Sequence, residues 1–476
     1  MNLSARRRVV VIGLLLLTGC PEPIPEPACG DLRSFDLSAC NQATLDQVLL
    51  GDVFNTAITW ANGARSVSAI YTVAQGGEKI DGHPAQSKYT SNSSFYFAAA
   101  YAEGGSQRRL AFAGCEGQTQ FHLTGQVQSC VDGVKVDEGT FEAEWVDYGD
   151  NESIFKNVAL VSETALPKGT AAEVWVEGKT AYVAARTGGV VVYDVTAPSA
   201  PLLTARVEEV GDDFRDAKVF GNTLYIASQK HGVVLYDVTN PAAPVRLGQV
   251  PADDVELHSL EIDRSGGRLF ASSPAPNGEV LVFDVSTPAS PALLSRVRVA
   301  EARGVSLFNG QMFANAGTQG LVAFDLPSTQ RGTFGPPPAG VASESSQVAS
   351  IGGRTVVFEG GEGWSGHVRA VDFTDPAAPT VLGEWSNGRP NQSMHHLQLV
   401  GTKLYLAHYQ SGLRILDVSD PAHLVQTGYY NTWRPFDFGR GNNFYDSAVG
   451  VRVPGDGNIY VAESVRGLMI FGETGP

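Results

Sequence analysis

The chain has 476 residues, too many for one ordinary hydrophobic core, so two domains are expected. Glycine is frequent (53 residues), while charged residues make up only 18% and hydrophobic ones 43%; this excludes a disordered or coiled-coil chain and favours short strands joined by tight turns. A formal charge of −16 excludes a nucleic-acid partner, because phosphates need a basic surface.

At the N-terminus, Arg6, Arg7 and Arg8 precede an apolar run over residues 9–17. The run is about half the roughly 20 residues of a spanning helix, so it reads as a signal peptide (residues 1–19) rather than an anchor. Leu17-Thr18-Gly19-Cys20 resembles a bacterial lipobox, and the plainer alternative is an ordinary signal peptide beside a chance cysteine. The resemblance implies cleavage before Cys20 and its lipidation, and Pro21 in place of Asp implies delivery to the outer membrane. Residues 20–40 then hold the lipidated cysteine and a spacer. The PEPIPEP segment at 21–27 should be stiff and extended. Export places Cys29, Cys40, Cys115 and Cys130 in an oxidising compartment. Of three possible pairings, Cys29–Cys40 and Cys115–Cys130 close the shortest loops and are expected; a zinc site is the alternative, without any Cys-x-x-Cys spacing.

Residues 41–153 carry no repeat. A short helix is expected at 46–50 and strands at 66–73, 94–101, 118–128 and 140–146; QTQFHLTGQVQ alternates as a half-buried strand does. This reads as a small β-rich domain, or as a decoration packed on the C-terminal portion of the chain.

From about residue 171 the chain repeats. VVVYDVTAPSAP (190–201) returns as VVLYDVTNPAAP, VLVFDVSTPASP, VRAVDFTDPAAP and LRILDVSDPAHL, with worn copies LVAFDL and LMIFG. Asp194, Asp237, Asp284, Asp325, Asp372 and Asp417 recur every 41 to 47 residues, a propeller-blade period. Each unit holds four short strands. The units are 171–212, 213–254, 255–301, 302–340, 341–390, 391–441 and 442–476. Asp is expected to cap the following turn, and the prolines to end strand pairing. A four-stranded unit cannot bury both faces alone, so the units should close into a ring. The last unit lacks room for a fourth strand, and residues 154–166 are expected to supply it, removing the free edge. The units resemble the LVIVD-repeat family of bacterial cell-surface propellers, most closely at GLRILDVSDP (412–421). The expected fold is all-β: a seven-bladed β-propeller over 154–476 behind a small N-terminal β-rich domain. The resemblance implies an envelope location and no defined reaction.

In such a ring the starts of the first strands and the loops between second and third strands share one face. Aligned units place Glu173, Asp216, His258, Arg303, Gln347, His396 and Asp446 at the channel entrance. Arg186, His231, Trp364, His367, His408, Tyr409 and Arg466 lie on the neighbouring loops. A long excursion over 429–445 adds Trp433, Phe436, Phe438, Arg440, Phe444 and Tyr445, and His395 stands beside His396. Aromatics offer contact area and Arg and Asp give direction, so this face is read as binding a protein or glycan partner at the cell surface. The plainer alternative is a solvated rim with aromatics plugging gaps between blades. No cofactor is expected, and the membrane is met only through the lipid. A metal held by His258, His395, His396, Asp216 and Asp446 has the ligand types but no spacing rule, and adjacent histidines on a strand should face opposite ways. GWSGH (363–367) is not G-x-S-x-G, because His367 takes the last glycine position. An extracellular hydrolase or lyase using channel-mouth His, Asp or Arg is the alternative function. A histidine within hydrogen-bond reach of a carboxylate in a deep pocket would favour it.

Overall fold

The computed structural model describes residues 28–475 except 39, 41–52, 73–76, 91–93, 120, 147–152, 435–436, 438–439 and 441–442. The expected signal peptide, Cys20, the Pro-rich spacer, the helix at 46–50, Phe436 and Phe438 lie outside the described residues.

Eight strands form the first unit: β1 (Val53–Trp60), β2 (Arg65–Tyr71), β3 (Lys79–Ile80), β4 (His83–Thr90), β5 (Phe95–Glu103), β6 (Ser106–Thr119), β7 (His122–Val131) and β8 (Val134–Trp145). Neighbours pair in order and β1 also pairs with β8, so the sheet closes into a barrel without edges. Its lumen is filled by Phe54, Phe95, Phe97, Phe112 and Phe141, the last two meeting edge to face at 5.1 Å. The strand expected at 118–128 is divided between β6 and β7, and β1, β3 and β4 fall where none was expected.

The disulfides are Cys29–Cys130 and Cys40–Cys115, correcting the short-loop pairing. On the β6–β7 ladder Cys130 stands opposite Arg109. Cys115 is therefore about six residues away along β6, roughly 20 Å at about 3.4 Å per residue. A disulfide needs Cα atoms within about 7 Å. Residues 28–38 and Cys40 instead lie across the outside of the barrel. There Phe35 packs on Tyr96, Ala98, Ala111 and Ala113, and the Tyr96 hydroxyl donates to the Gly30 carbonyl at 2.6 Å.

Among the remaining described residues, seven antiparallel sheets make a seven-bladed propeller: 173–207, 214–250, 259–298, 304–334, 341–385, 396–430 and 448–473. The motif strands are buried on both sides, as in Val190–Asp194, which is why they read as continuous apolar runs. Their apolar faces meet only those of adjacent blades. Tyr182, Val192, Ile226 and Val234 fill the space between blades one and two; Val174, Val183, Tyr460 and Ile470 fill that between seven and one. The repeated aspartate caps the next turn wherever the motif is intact. The Oδ1 of Asp194, Asp237, Asp284, Asp372 and Asp417 accepts the N–H two residues on at 2.7–2.9 Å. In the worn fourth copy Leu326-Pro327 follows, and Asp325 binds Gln311 and Arg331 instead.

The ring closes through Val158–Thr164, which pairs with Gly467–Glu473 as the outer strand of blade seven. Just before it, Phe155–Lys156 adds a fifth strand to blade six.

The barrel sits on the propeller face over blades five to seven. Val53, Ala69, Tyr71 and Val146 enclose Trp433. The Asn55 amide donates to the Asn391 carbonyl (2.7 Å) and Gln410 Oε1 (2.6 Å), the Tyr71 hydroxyl to Asp446 Oδ2 (3.0 Å), and Lys79 Nζ to the Arg440 carbonyl (2.8 Å). The described strands between Val53 and Trp145 thus form a self-closed barrel docked on the propeller.

Candidate functional site

The docking divides the expected binding face. Trp433 is a barrel contact, not a solvent-facing aromatic. Arg440 is buried against Glu463, and Asp446 is turned to Tyr71 rather than the channel. His408 is buried edge-on to Trp385 at 5.7 Å, and His367 is buried 3.9 Å from Glu359. Trp433, His367 and His408 fill seams between blades or lie under the barrel, where their ring surfaces leave water, while Arg440 and Asp446 are held there by their polar partners. Trp364 stands at the rim of the barrel contact, 6.4 Å from Phe444, beside a small cavity shared with Ala57 and Arg65.

Beside the barrel, at the axis where all seven blades converge, the channel mouth is a funnel of about 340 Å³. Its wall includes Arg186, Arg215, His258, Arg303, Glu362, His395, Tyr409 and Tyr445. Below lie Glu173, Asp216, Lys218, Glu344 and His396.

Three β-bulges build the mouth. In the first strands of blades two, five and seven, Arg215, Glu344 and Val449 are each an extra residue in the ladder. A bulge re-aims its side chain. Glu344 is thereby brought into the channel and left 3% exposed. The Val449 carbonyl accepts from His395 Nδ1 at 2.7 Å, and the Arg303 carbonyl from His258 Nδ1 at 2.9 Å. With Nδ1 donating, each ring leaves a lone pair on Nε2. These two nitrogens lie 3.3 Å (His258) and 3.7 Å (His395) from Glu344 Oε1. Burial, then the adjacent Glu362 carboxylate, push the Glu344 carboxyl well above its ordinary range against the pull of Arg303, and a hydrogen bond joins it to Glu362. Burial, then Arg303, holds His258 neutral, its pKa depressed to about 3. The Tyr409 hydroxyl donates to Glu362.

His395 and His396 both reach the channel, at different depths, where only one was expected to. His395 precedes the strand His396–Val400, so strand alternation does not govern it. His396 Nδ1 lies 3.2 Å from Glu173 Oε2. Asp216 is a fastener: Oδ1 accepts from Lys218 Nζ (2.9 Å) and the Ala217 N–H (2.7 Å), Oδ2 from the Leu260 N–H of the next blade (2.8 Å). Among the described residues no three His, Cys, Asp or Glu side chains are placed to hold a metal ion.

Arg186 and Tyr409 take left-handed backbone, φ +52° and +40°. Each occupies the same place in its blade's second turn, bridging to the first strand of the next blade; blade four puts Gly317 there, φ +51°. The turn therefore suits glycine, and two blades carry long side chains at a cost on the order of 1–3 kcal/mol each. Glu344, Glu362 and Arg215 were missed in the sequence. The only signal for Glu344 was a lone acid in the Ser-rich run VASESS.

His408 yields a pH prediction. Burial, then Arg414, depresses its pKa to about 3, so it is neutral when folded, while the unfolded chain binds a proton below about pH 6.5. Stability is thus lost as pH falls from 6.5 towards 3, by roughly 2 kcal/mol at pH 5 from this group. The urea midpoint of His408→Phe should drop correspondingly less than that of the parent between pH 7 and 5; equal drops would refute it.

The LVIVD repeat family matches residues 168–209, 211–251, 275–299 and 396–432, which fall in blades one, two, three and six. No curated protein matches the chain. Among solved structures, a chain of the mitotic checkpoint complex is 13% identical and covers 70% of this chain and 98% of its own, with a TM-score of 0.50. The WD40 β-propeller domain of Doa1 is 10% identical and covers 66% and 97%, with a TM-score of 0.49. At these identities the first likeness concerns the fold alone.

Proposed function

Because the chain is a seven-bladed β-propeller built in part from LVIVD repeats, we propose that it is an envelope lipoprotein, anchored through Cys20, whose propeller is a binding scaffold for a surface partner. The observation that carries this reading is the funnel beside the barrel. It is concave, lies at the axis of the ring and combines fixed polar groups with the half-buried Tyr445, as ligand sites do. The spacer at 21–27 would hold the funnel away from the bilayer.

The test is recovery of partners from envelope extracts on the full chain. Arg215→Ala combined with Tyr445→Ala should cut recovery at least tenfold while the melting curve is kept. Undiminished recovery from the folded variant would remove the funnel as the site.

A second reading is favoured by His258 lying 3.3 Å from buried Glu344, an acid–base arrangement. It does not extend to two-carboxylate glycoside hydrolysis. Glu344 and Glu362 hydrogen-bond each other, whereas retaining enzymes hold the pair about 5–5.5 Å apart and inverting ones about 6.5–9.5 Å.

A further inference from the structure

The funnel is cationic in a chain of net charge −16. Three guanidiniums from three blades, Arg186, Arg215 and Arg303, line one cavity. Arg186 and Arg215 share Asp213 at 3.8 and 3.3 Å; Arg303 faces Glu344 at 3.8 Å, beyond hydrogen-bond length, and also feels the Glu362 and Glu301 carboxylates, so in the wall itself Glu362 stands against three guanidiniums. The shielded Nε of Arg303 makes no hydrogen bond among the described residues. Arg186 reaches the funnel from a backbone conformation that suits glycine better. Tyr445, half-buried and edge-on to Tyr409 at 5.3 Å, supplies a flat wall beside the cations.

Resting on the binding reading above, we infer that the funnel takes the carboxylate of an acidic sugar, a uronic-acid residue, between the three arginines, with the sugar ring against Tyr445. Guanidinium and carboxylate match as paired donors and acceptors, and aromatic faces cover the apolar faces of sugar rings. The volume, about 340 Å³, is at the low end of the roughly 300–1,000 Å³ of small-ligand sites. It suits a chain end or short oligomer better than a flat protein surface. A peptide carboxylate shares the anion but needs no ring wall.

The experiment is calorimetric titration of the full chain with a uronic-acid trimer, its methyl ester and an acidic peptide. The trimer should bind, more weakly at high salt, and the ester and the peptide at least tenfold less well. Arg303→Gln should cost at least tenfold in affinity. Arg186→Gly is the sharper variant: it should melt at the same temperature or higher, since the turn accepts glycine, yet bind the trimer at least tenfold more weakly. Equal binding of trimer and ester, preference for the peptide, no binding of the trimer, or unchanged affinity in Arg186→Gly would each overturn the inference. The binding reading fails separately, if the double variant of Arg215 and Tyr445 still recovers envelope partners.

Discussion

Val158→Asp should cost on the order of 4 kcal/mol or more and remove the single cooperative unfolding step of the propeller, the range reached when a buried site receives an unpaired charge. Val158 is 0% exposed, packed among Tyr405, Ile415, Tyr430 and Phe471 at the seam of blades six and seven. It begins the strand that closes the ring, paired with Glu473, so the new carboxylate would also face a like charge. Further along, Val161 is bulged out, and Glu163 meets Arg466 in a two-pronged ion pair with one contact at 2.8 Å. Without this strand, blade seven has three strands and a free edge, and every other blade loses the constraint of a closed circle. Urea unfolding followed by tryptophan fluorescence reads the effect. A variant with the parental midpoint and slope would mean that closure contributes nothing to stability.

Arg440→Met should cost about 3–5 kcal/mol, because it leaves a buried carboxylate without its cation. The Arg440 side chain is 1% exposed and that of Glu463 0%, with Nη2 to Oε1 at 2.5 Å. Glu463 Oε2 also accepts the N–H groups of Val465 and Arg466, so the carboxylate cannot swing out to water without breaking the blade-seven turn. The Arg440 carbonyl receives Lys79 of the barrel, so the same segment holds the two domains together. Pairing it with Glu463→Met should recover part of the loss, since two apolar groups bury more cheaply than one stranded charge. Additive losses in the double variant would show that the two side chains are not coupled.

The repeating half of the molecule was legible because its information is local. A both-sides-buried run, an aspartate that caps its own turn and bracketing prolines recur in each intact copy, and the count of strands already implied that residues before the first blade complete the last. The barrel was only partly legible. Its strands alternate imperfectly, and a hairpin turn hid inside the run at 118–128. Cysteine pairing followed space rather than chain distance, since the two cysteines on adjacent strands are held far apart by register.

What the sequence determined by itself was therefore the ring and its member strands. His258 and His396 could be placed at the channel from it because first strands line a propeller's axis, whereas His395, just outside its strand, could not. Only the tertiary structure decided which of the candidate residues meet solvent. Contacts such as Asn55 with Asn391 and Tyr71 with Asp446 join residues 336 and 375 positions apart, and no local pattern encodes them. Docking of the barrel buried Trp433 and turned Asp446 away from the channel, while single-residue bulges carried Arg215 to the mouth and Glu344 into the channel below it. A bulge changes the aim of a side chain without changing the hydrophobic alternation by which a strand is recognised.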